Sequence, residues 1–218
     1  MTSFRAWLCT LKVYTQPASW RMLALGFSAG LPLLLVLGTL SFWLREAGID
    51  RTTIGYLSWV GLAYAFKWVW APLVDRLPLP GLTRRLGRRR SWLLLSQLLI
   101  AAGLLGMASQ NPQLALTPMV WSALVVAFGS ATQDIALDAY RIESASMQEQ
   151  AALAATYQTG YRLAMIWAGA GVLWVATLAQ GEQLGYAVRA WQVAYSVMAA
   201  CMAESIGTVL LSPDDQPR

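Results

Sequence analysis

Histidine is absent from the 218-residue chain. That excludes imidazole acid–base catalysis, histidine metal ligation and a histidine pH switch. Cysteine is nearly absent: Cys9 and Cys201 have neither metal-site nor disulfide spacing. Charge is scarce too, at 12% of residues, against about 25% in soluble domains. No nucleophile–base pair, metal-ligand cluster or phosphate-binding glycine loop stands in the sequence, so the chain is read as a non-enzyme without cofactor or metal. The first 20 residues, MTSFRAWLCTLKVYTQPASW, are mixed in character and do not read as a cleavable signal peptide.

What fills the space left by charge is apolar. Hydrophobic residues make up 57% of the chain and mean hydropathy is +0.47. The 11 tryptophans suit aromatic belts at membrane interfaces. A membrane span needs about 20 predominantly apolar residues. Six segments meet that requirement: Met22–Leu44, Thr53–Val74, Trp92–Ser109, Leu116–Tyr140, Ala152–Leu178 and Trp191–Leu211. The expected class is an all-α membrane protein. Its bundle occupies 22–211, between an N-terminal segment at 1–21 and the start of a linker at 212–218.

Basic residues orient the bundle. Arg5, Lys12 and Arg21 precede the first span, and Arg76, Arg84, Arg85, Arg88, Arg89 and Arg90 follow the second, in an arginine-rich loop at 75–91. The opposite side holds only Arg45, Arg51 and Arg189. The positive-inside rule therefore puts both termini and the arginine-rich loop in the cytoplasm. The same asymmetry accounts for the net charge of +5 without nucleic acid as a partner. "GRRRSW" reads either as this topology signal alone or as part of a gate. Trp43, Trp59 and Trp121 read as interface anchors. Gly26-Phe-Ser-Ala-Gly30 is a small-xxx-small pattern that lets helices approach closely. Gly129, Gly160, Gly169 and Gly171 are read the same way, and Pro32 is expected to kink the first span.

Ionisable residues inside spans are costly and should face protein or water. Asp138 is such a residue near the end of its span, and Lys67, Asp134, Arg162 and Glu204 are such residues deeper in theirs. At 1.5 Å per residue they lie roughly 10–15 Å from the arginine-rich end, in one layer drawn from four spans. Asp134 and Asp138 share a helix face as an i,i+4 pair and repel if both are ionised. Lys67 or Arg162 is the expected partner of Asp134, and the arginine-rich loop that of Asp138. Gln133, Gln158 and Tyr161, with Gln97 and Thr159, add hydrogen-bonding groups. A layer of this kind suits a proton-coupled transporter or, alternatively, a static set of ion pairs holding the bundle together.

The run "APLVDRLPLPGLTRRLGRRRSWL" resembles a variant of the major facilitator signature, Gly-x-x-x-Asp-Arg-x-Gly-Arg-Arg. It departs from that signature at Ala71–Pro72 and in an insertion before Gly87. That form, with "LGFSAGLPLLL", "TLSFWLREAGID", "IGYLSWVGLAYAFKWVWAPLVDR", "SATQDIALDAYR" and "GYRLAM", is similar to the AmpG muropeptide permeases of Gram-negative bacteria. The resemblance covers nearly the whole chain. It implies one six-span half of a major facilitator fold, itself a 3+3 inverted repeat, in the bacterial inner membrane. It further implies proton-driven import of anhydro-muropeptides from periplasm to cytoplasm, for peptidoglycan recycling and with influence on β-lactamase induction. Lys67, Gln133, Asp134, Gln158, Tyr161, Arg162 and Glu204 would line the proton and substrate pathway. Asp75, Arg76, Arg88, Arg89, Asp138 and Arg141 would form a cytoplasmic gate. A C-terminal half or a second copy is expected as partner, because substrate in this fold binds between halves. Two alternatives stay open: a truncated half that does not transport, and a transporter of another amphiphilic solute.

Overall fold

The computed structural model describes residues 12–143 and 149–212. Arg5, Cys9 and the linker residues 213–218 lie outside the described residues. Those described are predominantly helical, with no strand among them. Among them, five helices are long and apolar enough to cross a membrane: α1 (Pro17–Glu46), α6 (Arg88–Ala108), α7 (Leu116–Glu143), α8 (Gln150–Gln180) and α9 (Val188–Leu211). Short helices α2 (Arg51–Leu57), α3 (Leu62–Ala65), α4 (Ala71–Arg76) and α5 (Leu82–Leu86) connect α1 to α6. The protein is an all-α membrane protein.

The expected second span, Thr53–Val74, is not one helix. It is α2, α3 and α4, joined by 3₁₀ turns at Ser58–Gly61 and Lys67–Val69. The residues explain the breaks. Gly55 and Gly61 weaken a helix interior by about 1 kcal/mol each relative to alanine. The aromatics Tyr56, Trp59, Tyr64, Phe66, Trp68 and Trp70 give up side-chain freedom in a helix. Pro72 has no N–H to donate and stands where α4 restarts, a position that tolerates proline.

Pro32 produces no sharp break. α1 runs through it and widens just beyond into a π-turn at Leu35–Thr39. α8 has a matching π-turn at Trp167–Gly171. The two meet: Thr39 Oγ1 donates to the Ala168 carbonyl at 2.7 Å, while Tyr195 Oη of α9 donates to the Leu35 carbonyl at 2.8 Å. Carbonyls displaced from the regular ladder thus gain partners inside the bundle.

α1 lies along α8, α6 lies along α7, and α9 packs on α6, α8 and α1. The α1–α8 seam is closed by glycine. A Cβ at Gly26 would strike the Tyr157 carbonyl, one at Gly30 the Tyr161 carbonyl, and one at Gly160 the Leu23 carbonyl. Gly129 likewise meets Ser96, Leu99 and Ile100 across the α6–α7 seam.

Trp43 is not an interface anchor. It is fully buried, stacks on Trp191 at 5.8 Å, and donates its indole N–H to Tyr186 Oη at 3.0 Å. With its polar atom satisfied, the large ring contributes to the core. Trp59 and Trp121 are exposed, as anchors require.

At the turn from α1 to α2, Asp50 caps α2. Its carboxylate accepts from the Thr53 amide at 2.8 Å and the Thr53 hydroxyl at 2.6 Å, and those bonds hold its pKa below the usual carboxylate value. A lowered folded-state pKa adds stability above the unfolded value, which is lost as pH falls through the folded one. Asp50→Ala is therefore expected to lower the melting temperature slightly at neutral pH. The difference should vanish below the carboxylate range, as a melting series against pH would show.

Candidate functional site

The break in Thr53–Val74 places a cation. Lys67 opens the 3₁₀ turn between α3 and α4, and its Nζ lies 3.4 Å from Asp134 Oδ2 on α7. The separation is long for a charge-assisted hydrogen bond. Side-chain exposures of 37% for Lys67 and 21% for Asp134 leave the pair reachable from one side. Of the two expected partners for Asp134, the structure brings up Lys67. Arg162 is exposed on α8 beside Tyr161.

Aromatic hydroxyls surround the pair. Tyr64 of α3 and Tyr157 and Tyr161 of α8 all lie within electrostatic reach of Asp134. The Tyr64 and Ser130 hydroxyls are buried near each other, and among the described residues neither has a partner of hydrogen-bonding geometry. Trp70 donates to Thr132 Oγ1 at 3.2 Å and packs on Phe128, pinning the broken segment to α7.

Other residues of the expected layer stand elsewhere. Gln133 turns into the core, where its Nε2 donates to Ser28 Oγ of α1 at 2.6 Å. Gln97 is fully buried in α6. Gln158 and Thr159 are exposed on α8. Glu204 is exposed on α9, which packs chiefly on α6, α8 and α1, away from Lys67. The layer read as one level in the sequence is thus two places: a paired site between α3–α4, α7 and α8, and a separate carboxylate on α9. Depth along a helix fixes height but not direction around its axis.

A second ionic group joins helix ends. Arg89 Nη1 donates to Asp75 of α4 at 2.6 Å, and its Nη2 and Nε donate to Glu143 Oε1 of α7 at 2.8 and 3.0 Å. Asp138 pairs with Arg141 one turn along at 3.4 Å, and not with the arginine-rich segment. Arg141 also lies over the Tyr157 ring at 5.7 Å. Arg76 and Arg88 are exposed. Arg88, Arg89 and Arg90 form the first turn of α6 rather than part of the preceding loop.

Tyr64, Ser130, Tyr157, Glu143 and Arg90 were not among the residues expected at these sites. Tyr64 stands three residues before Lys67, a spacing that brings side chains together on a helix. Glu143 follows Asp138 at the end of the same run. Nothing in the sequence singles out Arg90 from its two neighbours.

Apolar helices enclosing ion-paired charges, with buried glycine seams, define a multi-pass helical membrane protein. Comparison with known proteins narrows the class. The family model described as "Acetyl-coenzyme A transporter 1" matches residues 20–168. The anhydromuropeptide permease of Escherichia coli (strain K12) is 41% identical over 204 residues, covering 94% of this chain and 39% of the relative. The putative transporter AmpG 4 of Rickettsia conorii is 35% identical over 188 residues, covering 86% of this chain and 43% of the relative. The chain belongs to this transporter family and is similar throughout to its AmpG permeases. It spans about two fifths of the length of the curated relatives it matches.

Proposed function

We propose that the chain is the N-terminal, six-span half of a proton-driven importer of anhydro-muropeptides in the bacterial inner membrane. The carrying observation is the identity of 41% across nearly the whole chain to an anhydromuropeptide permease. The broken second span counts as the sixth crossing, and the bundle as one 3+3 inverted repeat with a C-terminal half or second copy completing the pathway. The arginine distribution supports cytoplasmic termini.

In this reading Asp134 is the proton carrier. Its contact with Lys67 is long and open on one side, so protonation of the carboxylate releases the lysine without disrupting a tight network. Tyr157, Tyr161, Gln158 and Arg162 present hydrogen-bonding groups toward a sugar–peptide. The ion pairs of Arg89 with Asp75 and Glu143 tie α4, α6 and α7 together as the cytoplasmic gate, with Arg76, Arg88 and the Asp138–Arg141 pair at its margin. Glu204 serves the pathway least directly. The family model's description favours a second cargo class, an anionic acyl-bearing solute. Competition for uptake between such a solute and an anhydro-muropeptide separates the two.

The decisive experiment uses a full-length chimera in which these residues replace the matching part of the Escherichia coli permease. Asp134→Asn is expected to abolish gradient-driven accumulation of anhydro-muropeptide while the protein still reaches the membrane. Wild-type accumulation in that variant, collapsing normally with an uncoupler, sinks the proton-carrier assignment.

A further inference from the structure

We infer that Arg45 and Arg51 form a second recognition site, one that takes a carboxylate of an anionic ligand at the end of the bundle opposite the arginine-rich end. The inference rests on the proposed cargo for the identity of the ligand, but the site itself is read from geometry.

Arg45 stands in the last turn of α1 and Arg51 is the first residue of α2, so a short turn folds the two helices back on each other. Gly48, at φ 80°, supplies the left-handed residue in that turn. Both arginines then line one recess of about 380 Å³, with Ser41, Phe42 and Ile54. Both arginines are exposed, and an anion seated between two guanidinium groups that share one recess would offset their mutual repulsion. Two acids adjoin them in sequence, and each accepts hydrogen bonds elsewhere. Glu46 Oε2 accepts from the Trp191 indole at 2.7 Å, and Asp50 accepts from Thr53. Neither arginine forms an ion pair among the described residues.

The position of the recess matters equally. Leu34 of α1 lies against Gly169 of α8, and Leu37 lies against Gly61 of the broken segment. The stripe carrying Ser41, Phe42 and Arg45 therefore continues between those elements, the same ones that carry Arg162, Tyr161 and Lys67. Along that face the two arginines stand at the α1–α2 turn, and the Lys67–Asp134 pair stands further toward the arginine-rich end. The recess is at the small end of ligand pockets, about 300–1,000 Å³. It accommodates one carboxylate-bearing residue of a peptide rather than a whole sugar–peptide. The guanidinium forks suit carboxylate oxygens, and Phe42 and Ile54 cover the aliphatic part.

The test uses the purified 218-residue chain in zwitterionic detergent with N-acetylmuramyl-alanyl-glutamate as free acid, its diamide, and sugar-free N-acetyl-alanyl-glutamate. Arginine labelling by phenylglyoxal, mapped by peptide mass, reports occupancy residue by residue. The free acid is expected to protect Arg45 and Arg51, but not Arg189 at the start of α9. It should also bind at least about tenfold more tightly than the diamide, as two charge-assisted contacts imply. R45Q/R51Q should erase that preference. The labelling pattern on the unmutated chain keeps the test valid if the double variant fails to fold. Unchanged labelling of both arginines, or a preference that survives in R45Q/R51Q, overturns the site. Protection by phosphatidylglycerol vesicles with none by either acid also overturns it, in favour of a lipid contact. Equal protection by the sugar-free acid upholds the carboxylate site while removing support for a muropeptide as the cargo.

Discussion

Gly160→Leu is expected to prevent the bundle from forming. The reason is a competition between two effects of opposite sign. Replacing a helix-interior glycine gains up to about 1 kcal/mol of helix propensity. At position 160, however, the first added carbon lands on the Leu23 carbonyl and the Phe27 amide of α1, which are backbone atoms and cannot rotate away. The reciprocal contacts of Gly26 with Tyr157 and Gly30 with Tyr161 hold the same seam from the other side. Overpacking a close-packed interior costs about 1–3 kcal/mol even when side chains can shift. Here the helices themselves must separate, so the loss lies at or above that range and overwhelms the propensity gain. Gly207→Leu on α9 is the control, because no described residue lies within 4 Å of a Cβ there. Fluorescence-detected size exclusion after a temperature ramp should show Gly207→Leu near the parent and Gly160→Leu aggregated. If Gly160→Leu melts within a few degrees of the parent, the seam does not hold the bundle.

That seam was legible in the sequence, and the reason is geometric. Gly26 and Gly30 stand one helical turn apart, a spacing that gives one small face whatever the partner. Five spans were legible for a similar reason: length and apolarity are sums over residues, insensitive to detail. The second span met the same sum and is nonetheless broken. Hydropathy does not register the glycines, aromatics and Pro72 that interrupt its hydrogen-bond ladder. The Lys67–Asp134 pair was legible as a depth coincidence, because two charges at one height in neighbouring helices must find each other or water. Glu204 shared that height and faces elsewhere. Rotation about a helix axis depends on packing partners, which a single sequence does not show. Trp43 misled in the same way: composition marks tryptophan for the interface, while the Tyr186 hydroxyl that lets it stay buried is 143 residues away.

The three consecutive arginines at the start of α6 offer the sharpest separation of a topology signal from a structural role. By composition they are interchangeable, but the helix points them in different directions. Arg88 is exposed. Arg89 is shared between Asp75 and Glu143, carboxylates that are themselves about half exposed. Arg90 is buried, and its Nε and Nη2 donate to the carbonyls of Val209 and Leu210 at 3.0 Å each. Those carbonyls belong to the last turn of α9, whose acceptors have no partner within their own helix. A cation there also meets the negative end of the helix dipole. Arg90→Ala is therefore expected to be the most destabilising of the three, by about 2–4 kcal/mol, since it strands a buried acceptor at Val209 and a part-buried one at Leu210 and removes a packed stem. Arg90→Lys should recover only part of that loss, because an ammonium cannot reproduce the fork to two successive carbonyls. Arg89→Ala should cost less, because solvent screens partly exposed pairs. Arg88→Ala should leave the melting temperature unchanged. Melting curves of the four variants test the order directly. Equal small shifts across all three alanine variants would reduce the triplet to its positive charge, with orientation in the membrane as its whole contribution.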